Sequence, residues 1–413
     1  MATRLSIAVA GAGIGGLATA IALRLAGHDV CVFDRFDRPR PVGSGLVVQP
    51  VGQRVLDWLG AGTRARALGT PVLRLYGREA VTGAGTLDVR YDAAGPGLHG
   101  LGMHRASLFA ALHERLLALG LRVTPATEIT GSVLAPGGRV LLTGGGRIGP
   151  FDLIVDALGS HSPLSPLIAC PLPYGALWTT LHWPETGIPA DRLSQRYRAA
   201  RRMVGVLPIG RKPDDDKPLA AFFWSLRGDH LADWQARGLA PWKAEALDLW
   251  PELAPFLAQI EDPAQMTLAR YSHGTLRRPW AERLVHLGDS AHRASPQLGQ
   301  GANMALLDAL ALARALDQAP LDDALPLFWR MRRGHLTVYQ AASRFLTPQY
   351  QSDSAAIAWF RDRIVAPVGR VPPFPRLLGA IASGIAVPPL AGEPHIKGQP
   401  VPPDWAMDGR RDG

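Results

Sequence analysis

Residues 5–16, Leu5-Ser6-Ile7-Ala8-Val9-Ala10-Gly11-Ala12-Gly13-Ile14-Gly15-Gly16, decide the fold. An uncharged run of strand-forming residues passes straight into glycines at GxGxxG spacing, and Leu17 to Ala26 then has helix-forming composition. The glycines allow a tight turn and let the backbone approach a pyrophosphate, while the helix start offers unpaired N–H groups to an anion. A second apolar run, Asp29-Val30-Cys31-Val32-Phe33, ends on Asp34. That acid lies about twenty residues beyond the glycines, where a ribose-binding acid belongs. The stretch therefore predicts a dinucleotide site with Gly11, Gly13, Ile14, Gly15 and Gly16 in the loop and Asp34 and Arg35 at its ribose end. A secretory leader is the competing reading of Arg4 and the small residues after it, but the glycines would break its apolar helix and leave Asp34 unexplained.

A second stretch has matching chemistry. Leu284-Val285-His286-Leu287 runs into Gly288-Asp289-Ser290-Ala291-His292, then a Pro/Gly-rich loop, Ser295-Pro296-Gln297-Leu298-Gly299-Gln300, and an Ala/Leu helix beginning near Ala302. This order puts one carboxylate and one helix N-terminus at the same place. A carboxylate accepts hydrogen bonds from polyol hydroxyls, and free N–H groups at a helix start stabilise an electron-rich ring. A reduced flavin presents both a ribityl chain and negative charge.

Composition narrows the class. The chain has 413 residues, enough for a large core and two structural domains, with 47% hydrophobic and 19% charged residues as in an ordinary enzyme. Its net charge is +9, yet its arginines are scattered, which argues against a nucleic-acid surface and for attraction of anionic small molecules. The two cysteines, Cys31 in an expected buried strand and Cys170, read as free thiols in a reducing cytoplasm. The histidines show no paired ligand spacing, so no metal is expected. The apolar stretch 377–387 is too short to span a membrane.

Between these landmarks the sequence alternates element types. Gln53 to Leu59 reads as an amphipathic helix stopped by Gly60, 72–91 as antiparallel strands, and Leu108 to Leu119 as a helix ended by Gly120. Strands are expected near 122–123, 140–142, 153–155, 203–209 and 220–226, with an exposed hairpin tip at 213–218. Helices are expected at 242–250 and 325–345, and a proline-rich tail follows.

The glycine loop, the Gly43-Ser44-Gly45 turn, Arg105 at a helix start and the GDSAH…PQLGQGAN segment together resemble the class A flavoprotein monooxygenases, the para-hydroxybenzoate hydroxylase-like family, over roughly residues 5–345. The resemblance implies an α/β fold: a Rossmann-like FAD-binding domain, a mostly antiparallel β-sheet substrate domain and a C-terminal helical segment. The FAD-binding domain would take 1–71, 99–165 and 271–345; the substrate domain 72–98 and 166–270; and a C-terminal helix and Pro-rich tail 346–413. It further implies that Gly11, Gly13 and Gly16 pack on the FAD pyrophosphate and Asp34 holds the adenosine ribose. Arg105 and Asp289 would contact the cofactor, and the backbone of Gly299, Gly301, Ala302 and Asn303 would lie against the isoalloxazine.

One position departs from the family pattern. The family's third motif is an Asp-Gly pair after a strand that serves FAD and the nicotinamide cofactor; here Asp156-Ala157-Leu158-Gly159 puts a leucine at the acid. Asp156 is either a strand-end residue bonded to backbone or a displaced substitute.

By the resemblance, NAD(P)H reduces FAD, O2 adds to form a flavin C4a-hydroperoxide, and one oxygen passes to an aromatic or conjugated small molecule. Pro296 and Gln297 would line the reaction cavity, with Phe222 and Trp224 as the substrate-facing residues of an alternating strand. Leu158 keeps open a flavin-dependent oxidase, desaturase or reductase without oxygen insertion. A halogenase is disfavoured, because no lysine precedes Lys212 and Trp178 to Pro184 has the wrong spacing for that branch. The oligomeric state is not encoded in any feature of the sequence.

Overall fold

The computed structural model describes residues 3–37 and 44–391. Gly43 of the expected turn and the tail beyond residue 391 lie outside the described residues. Ser6–Ala10, the helix Ile14–Leu25 and Asp29–Phe33 form the expected parallel unit, with Ala8 beside Cys31 and Ala10 beside Phe33. Further parallel strands, Val123–Thr124, Leu153–Asp156 and Leu284–His286, and the antiparallel Trp280–Ala281 extend it into a six-stranded sheet. Three of these strands come from widely separated parts of the chain. The unit is therefore assembled from discontinuous pieces.

Helix Ile14–Leu25 packs on helix Gly301–Gln318, with Leu17, Ile21 and the apolar residues between Leu306 and Leu316 in the largest apolar cluster. Each such aliphatic side chain contributes about 1.5–3 kcal/mol on burial. The helix expected near 53–59 starts earlier, as Pro50–Leu59 with proline in its first turn, and ends on Gly60 at φ +78°.

The second body is an eight-stranded sheet. Its order is His292–Arg293, Thr267–Thr275, Cys170–His182, Leu219–Arg227, Arg202–Pro208, Arg192–Arg198, Arg74–Glu79 and Gly85–Arg90. It is antiparallel except where 192–198 meets 74–79. Its outer face carries helices Leu231–Arg237 and Leu239–Leu249. Strand Thr267–Thr275 pairs with His292–Arg293, which follows Leu284–His286 of the six-stranded sheet after one short turn, so the chain passes directly from one sheet into the other.

The expected helix at 325–345 is longer, Leu321–Tyr350, and short helices follow to Ser383. Cys31 departs from expectation. It is exposed, because Val123–Thr124 pairs only with Val32 and Phe33 and leaves the first half of strand 29–33 uncovered. No helix among the described residues is long and apolar enough to cross a membrane.

Candidate active site at the glycine loop and the 288–303 segment

The three motif glycines have different physical reasons. A side chain on Gly11, at φ +101°, would come within 2.5 Å of the Ala157 carbonyl oxygen, and one on Gly16 within 1.8 Å of the Gly11 carbonyl oxygen. These two close the turn against the strand and helix. A side chain on Gly13 would meet nothing within 4 Å. Gly13 is thus bare on its solvent side, where an approaching phosphate needs backbone. Helix Ile14–Leu25 starts there with neither a side-chain cap nor an acid in its first turn, leaving its N–H groups for an anion. Ile14 is buried, and Gly15 lies close to Ala305 of the opposing helix.

Asp34 ends the second strand and accepts from Ala12 N at 2.7 Å and Phe36 N at 3.1 Å. A carboxylate has about four acceptor sites, so ribose hydroxyls can share it. Arg35 is exposed, its guanidinium 5.2 Å from the Phe36 ring centre.

The 288–303 segment is built on a buried charge network. The Asp308 carboxylate accepts from Gly288 N at 3.1 Å, His292 Nε2 at 2.6 Å and Arg332 Nε at 2.8 Å. Burial alone would raise its carboxyl, but the charges of His292 and Arg332 and their hydrogen bonds outweigh this and hold it well below the usual range. Asp156 is fully buried; it accepts from Leu158 N at 3.1 Å and Ser162 Oγ at 2.7 Å, and meets His286 Nδ1 at 2.7 Å. Its carbonyl accepts from Leu287 N and Ser290 Oγ. The two histidines thus each serve a separate aspartate, and the loop between them is clamped from below.

That clamp leaves Asp289 exposed above it, on the 3-10 turn Gly288–Ser290. Helix Gly301–Gln318 begins with no side-chain cap, and the Gln300 amide Nε2 donates to the Ala382 carbonyl at 3.0 Å. Asn303 is fully buried: its Oδ1 accepts from Gln49 N and its Nδ2 donates to Gly299 O, which pins the helix start to strand Gly45–Val48. Arg105 opens helix Arg105–Ala118 with its side chain exposed and its backbone N–H on Ser44 O. His104 caps that helix through Nδ1, which accepts from Ala106 N at 3.1 Å. Burial, and then Lys212, push His104 down to about 4, so the ring stays neutral and able to accept.

An open Gly13, two uncapped helix starts, the half-buried Asp34 and the exposed Asp289 fit a flavin dinucleotide. The FAD binding domain family matches residues 243–324, and the NAD(P)-binding Rossmann-like domain family matches residues 9–48. The chain is 28% identical over 391 residues to Aurachin C monooxygenase/isomerase of Stigmatella aurantiaca, covering 88% of this chain and 94% of the relative. It is 29% identical over 337 residues to 2-heptyl-3-hydroxy-4(1H)-quinolone synthase of Mycobacteroides abscessus, covering 77% and 83%. The matched domains and these relatives make the chain similar to the class A flavoprotein monooxygenases. Its fold matches that of Klebsiella pneumoniae HpxO, solved with FAD and uric acid, at a TM-score of 0.77 and 21% identity, covering 93% and 97% of the two chains.

In this chain the aromatic strand has the opposite parity from the one expected. Phe222 and Trp224 are fully buried on the outer face, edge-on to Trp242 of the covering helix. Phe223 points the other way and stacks on Trp178 at 4.9 Å, and Trp178 Nε1 donates to Tyr271 OH at 3.0 Å. Ala221, on the same face as Phe223, would lie 2.8 Å from a side chain on Gly45 of the FAD-binding body. The Trp178–Phe223 face is therefore the one turned toward the flavin-binding strands. Strand alternation fixed only that neighbours differ, and the covering helices decide which face is which.

Pro296 is exposed, and Gln297 donates to Gln351 Oε1 at 3.1 Å, whose own amide reaches Gly175 O on the eight-stranded sheet. Leu158 packs in an apolar cluster with Phe33, Phe151 and Leu284. Asp156 bonds both to backbone and to side chains, as a strand-end anchor, and its full burial keeps it from standing in for the missing acid. Sequence reasoning gave no role to Asp308, His292 or Arg332. The available signal was an acid inside an apolar helical run, Leu307-Asp308-Ala309, which a helix buries only with charged partners.

Proposed function

We infer that this chain is an FAD-dependent monooxygenase that hydroxylates an aromatic or other conjugated small molecule with NAD(P)H and O2. The observation that carries the reading is the Trp178–Phe223 stack on the sheet face turned toward the flavin-binding strands, because flat π-surfaces favour flat substrates. The compounds named for the relatives, urate and 3-amino-4-hydroxybenzoate as substrates and a 3-hydroxy-4(1H)-quinolone as product, are conjugated rings and support the same class.

FAD, when bound, supplies the redox chemistry: it takes reducing equivalents from NAD(P)H and activates O2. Gly13 and the start of helix Ile14–Leu25 hold its pyrophosphate, Asp34 its adenosine ribose, and Asp289 and Arg105 its central portion. The N–H groups at Gly301 and Ala302 stabilise negative charge on the ring. Pro296 and Gln297 close one side of the reaction space and exclude water, while Trp178 and Phe223 orient the substrate.

Leu158 in its apolar cluster favours a second reading, an oxidase, desaturase or reductase, because it removes an acid that serves the nicotinamide partner in the family. Incubation with NAD(P)H, a panel of phenols and quinolones, and 18O2 separates the two. Hydroxylation yields product heavier by one 18O atom, whereas substrate turnover without label in the product rejects the first reading.

A further inference from the structure

Helix Phe374–Ser383 presents apolar residues on two faces. It buries the small ones, Gly379, Ala380, Ala382 and Ser383, with Leu378 and Ile381 half-buried against apolar clusters, while Phe374 and Leu377 stay exposed. A helix on a protein surface ordinarily hides its largest apolar groups, and these two stay outside. The reason for the small face is close approach: a side chain on Gly379 would come within 2.8 Å of the Arg90 carbonyl oxygen, and the 381–382 backbone takes the Gln300 amide. The reason for the large exposed face is not found within the described chain.

The preceding segment continues that face. Phe360, Ile364 and Val368 recur every four residues along a continuous helical stretch, and all are more than 40% exposed. Val371 joins this stripe to Phe374 and Leu377, and Gly369 lies beside Leu378, so the two helical pieces pack together as one element. The element is firmly seated. Arg361, fully buried, donates to the carbonyls of Ala199 and Gln349, pairs with Asp362 and lies over the rings of Tyr197 and Tyr350. An exposed apolar surface on a rigidly anchored element marks an interaction site.

Charge selects the occupant. Between residues 354 and 391 the only carboxylate is Asp362, which Arg361 occupies, whereas Arg363, Arg370 and Arg376 are all exposed around the apolar stripe. A second copy meeting through these residues would set their arginines against one another, and the exposed Asp92 on the adjoining turn is already paired with Arg90. An apolar face rimmed by arginines fits a surface that is apolar below and anionic at its rim.

We propose that the 355–383 helical element is a peripheral membrane-binding surface that seats Phe360, Ile364, Val371, Phe374 and Leu377 among acyl chains and Arg363, Arg370 and Arg376 among anionic headgroups. The helices lie in the interface and do not span it. Gln300 connects this element directly to the uncapped start of helix Gly301–Gln318, so membrane docking would occur beside the flavin site.

The test is flotation of the full-length holoenzyme with phosphatidylcholine vesicles and with vesicles of equal parts phosphatidylcholine and phosphatidylglycerol, with Trp359 emission as a second readout. Expected is binding to the mixed vesicles, weakened by high salt, with a blue shift in emission. Binding falls at least about tenfold in the double variant Ile364→Ser/Phe374→Ser, since losing two apolar insertions of this size exceeds about 1.4 kcal/mol. FAD content equal to the parent shows that the variant folds. Absence of flotation with the mixed vesicles, or equal flotation of parent and variant, overturns the proposal. So does a concentration-dependent dimer that the variant abolishes, which would assign the face to a second copy.

Discussion

His292 and Asp308 meet at 2.6 Å, both buried, and Arg332 closes on the other carboxylate oxygen at 2.8 Å. The same carboxylate holds Gly288 N, so the turn bearing Asp289 rests on a charge cluster in the protein interior. Removing its centre leaves Arg332 buried without its counter-charge. Asp308→Ala is expected to lower stability by about 3–5 kcal/mol in urea unfolding and to loosen FAD retention. Unchanged stability would show that the cluster is not a support.

The motif glycines separate folding from cofactor binding. Gly16→Ala places a methyl 1.8 Å from the Gly11 carbonyl oxygen and is expected to give little folded protein. Gly13→Ala meets no protein atom and Gly13 has an ordinary φ of −71°, so its melting temperature without flavin should match the parent's. Its FAD affinity should fall by tenfold or more in fluorescence titration, about 1.4 kcal/mol. Asp289→Ala, at an exposed position, is expected to behave like Gly13→Ala.

Acid sensitivity follows from two neutral histidines. Burial, then the neighbouring Arg332 charge, push His335 down to about 3, and burial with Lys212 pushes His104 down to about 4, both from an ordinary 6.5. Below pH 6.5 the unfolded chain binds protons that the folded chain refuses, so stability falls as pH falls. Each histidine contributes up to about 1.4 kcal/mol per pH unit in its window. His335→Gln should flatten the pH dependence of the unfolding midpoint between 6 and 4, and an unaltered slope would remove His335 as its source. Asp308 acts in the same direction at lower pH: its depressed carboxyl adds stability that is present above the ordinary 3.8 and disappears only in stronger acid.

The two faces of strand Leu219–Arg227 predict different phenotypes. Phe222→Ala opens a cavity against Trp242 and should cost about 3–5 kcal/mol while leaving substrate preference unchanged. Trp178→Ala removes the partner of Phe223 and the donor to Tyr271, and should raise KM and alter the ranking of aromatic substrates in NAD(P)H oxidation. Matching substrate profiles for Trp178→Ala and the parent would place the pocket elsewhere.

What the sequence disclosed and what it hid divide along physical lines. Strand, glycine loop, helix and terminal acid are local patterns, so Gly11, Gly16 and Asp34 stand where their spacing put them. Asp289 and the helix start at Gly301 follow for the same reason. The face of strand 219–227 depends on which neighbour covers it, and Leu231 to Leu257 settle that from outside the strand. Cys31 was misjudged because burial of a strand depends on the length of its partner, here only Val123–Thr124. The links from Asp308 to Arg332 and from Asn303 to Gln49 join positions that no local pattern connects.

The order of pieces in the six-stranded sheet has a consequence for synthesis. Strand Ser6–Ala10 pairs with Leu153–Asp156, which in turn awaits Leu284–His286, and helix Ile14–Leu25 lacks its main packing partner until residues 301–318 exist. At about 5–20 residues per second, the nascent glycine loop spends roughly 15–60 s outside the ribosome with a bare parallel strand edge. Chaperone dependence during translation, and recovery of refolded protein that rises with added FAD, are the expected signatures of a nucleotide-binding unit whose first and last parts are made so far apart in time.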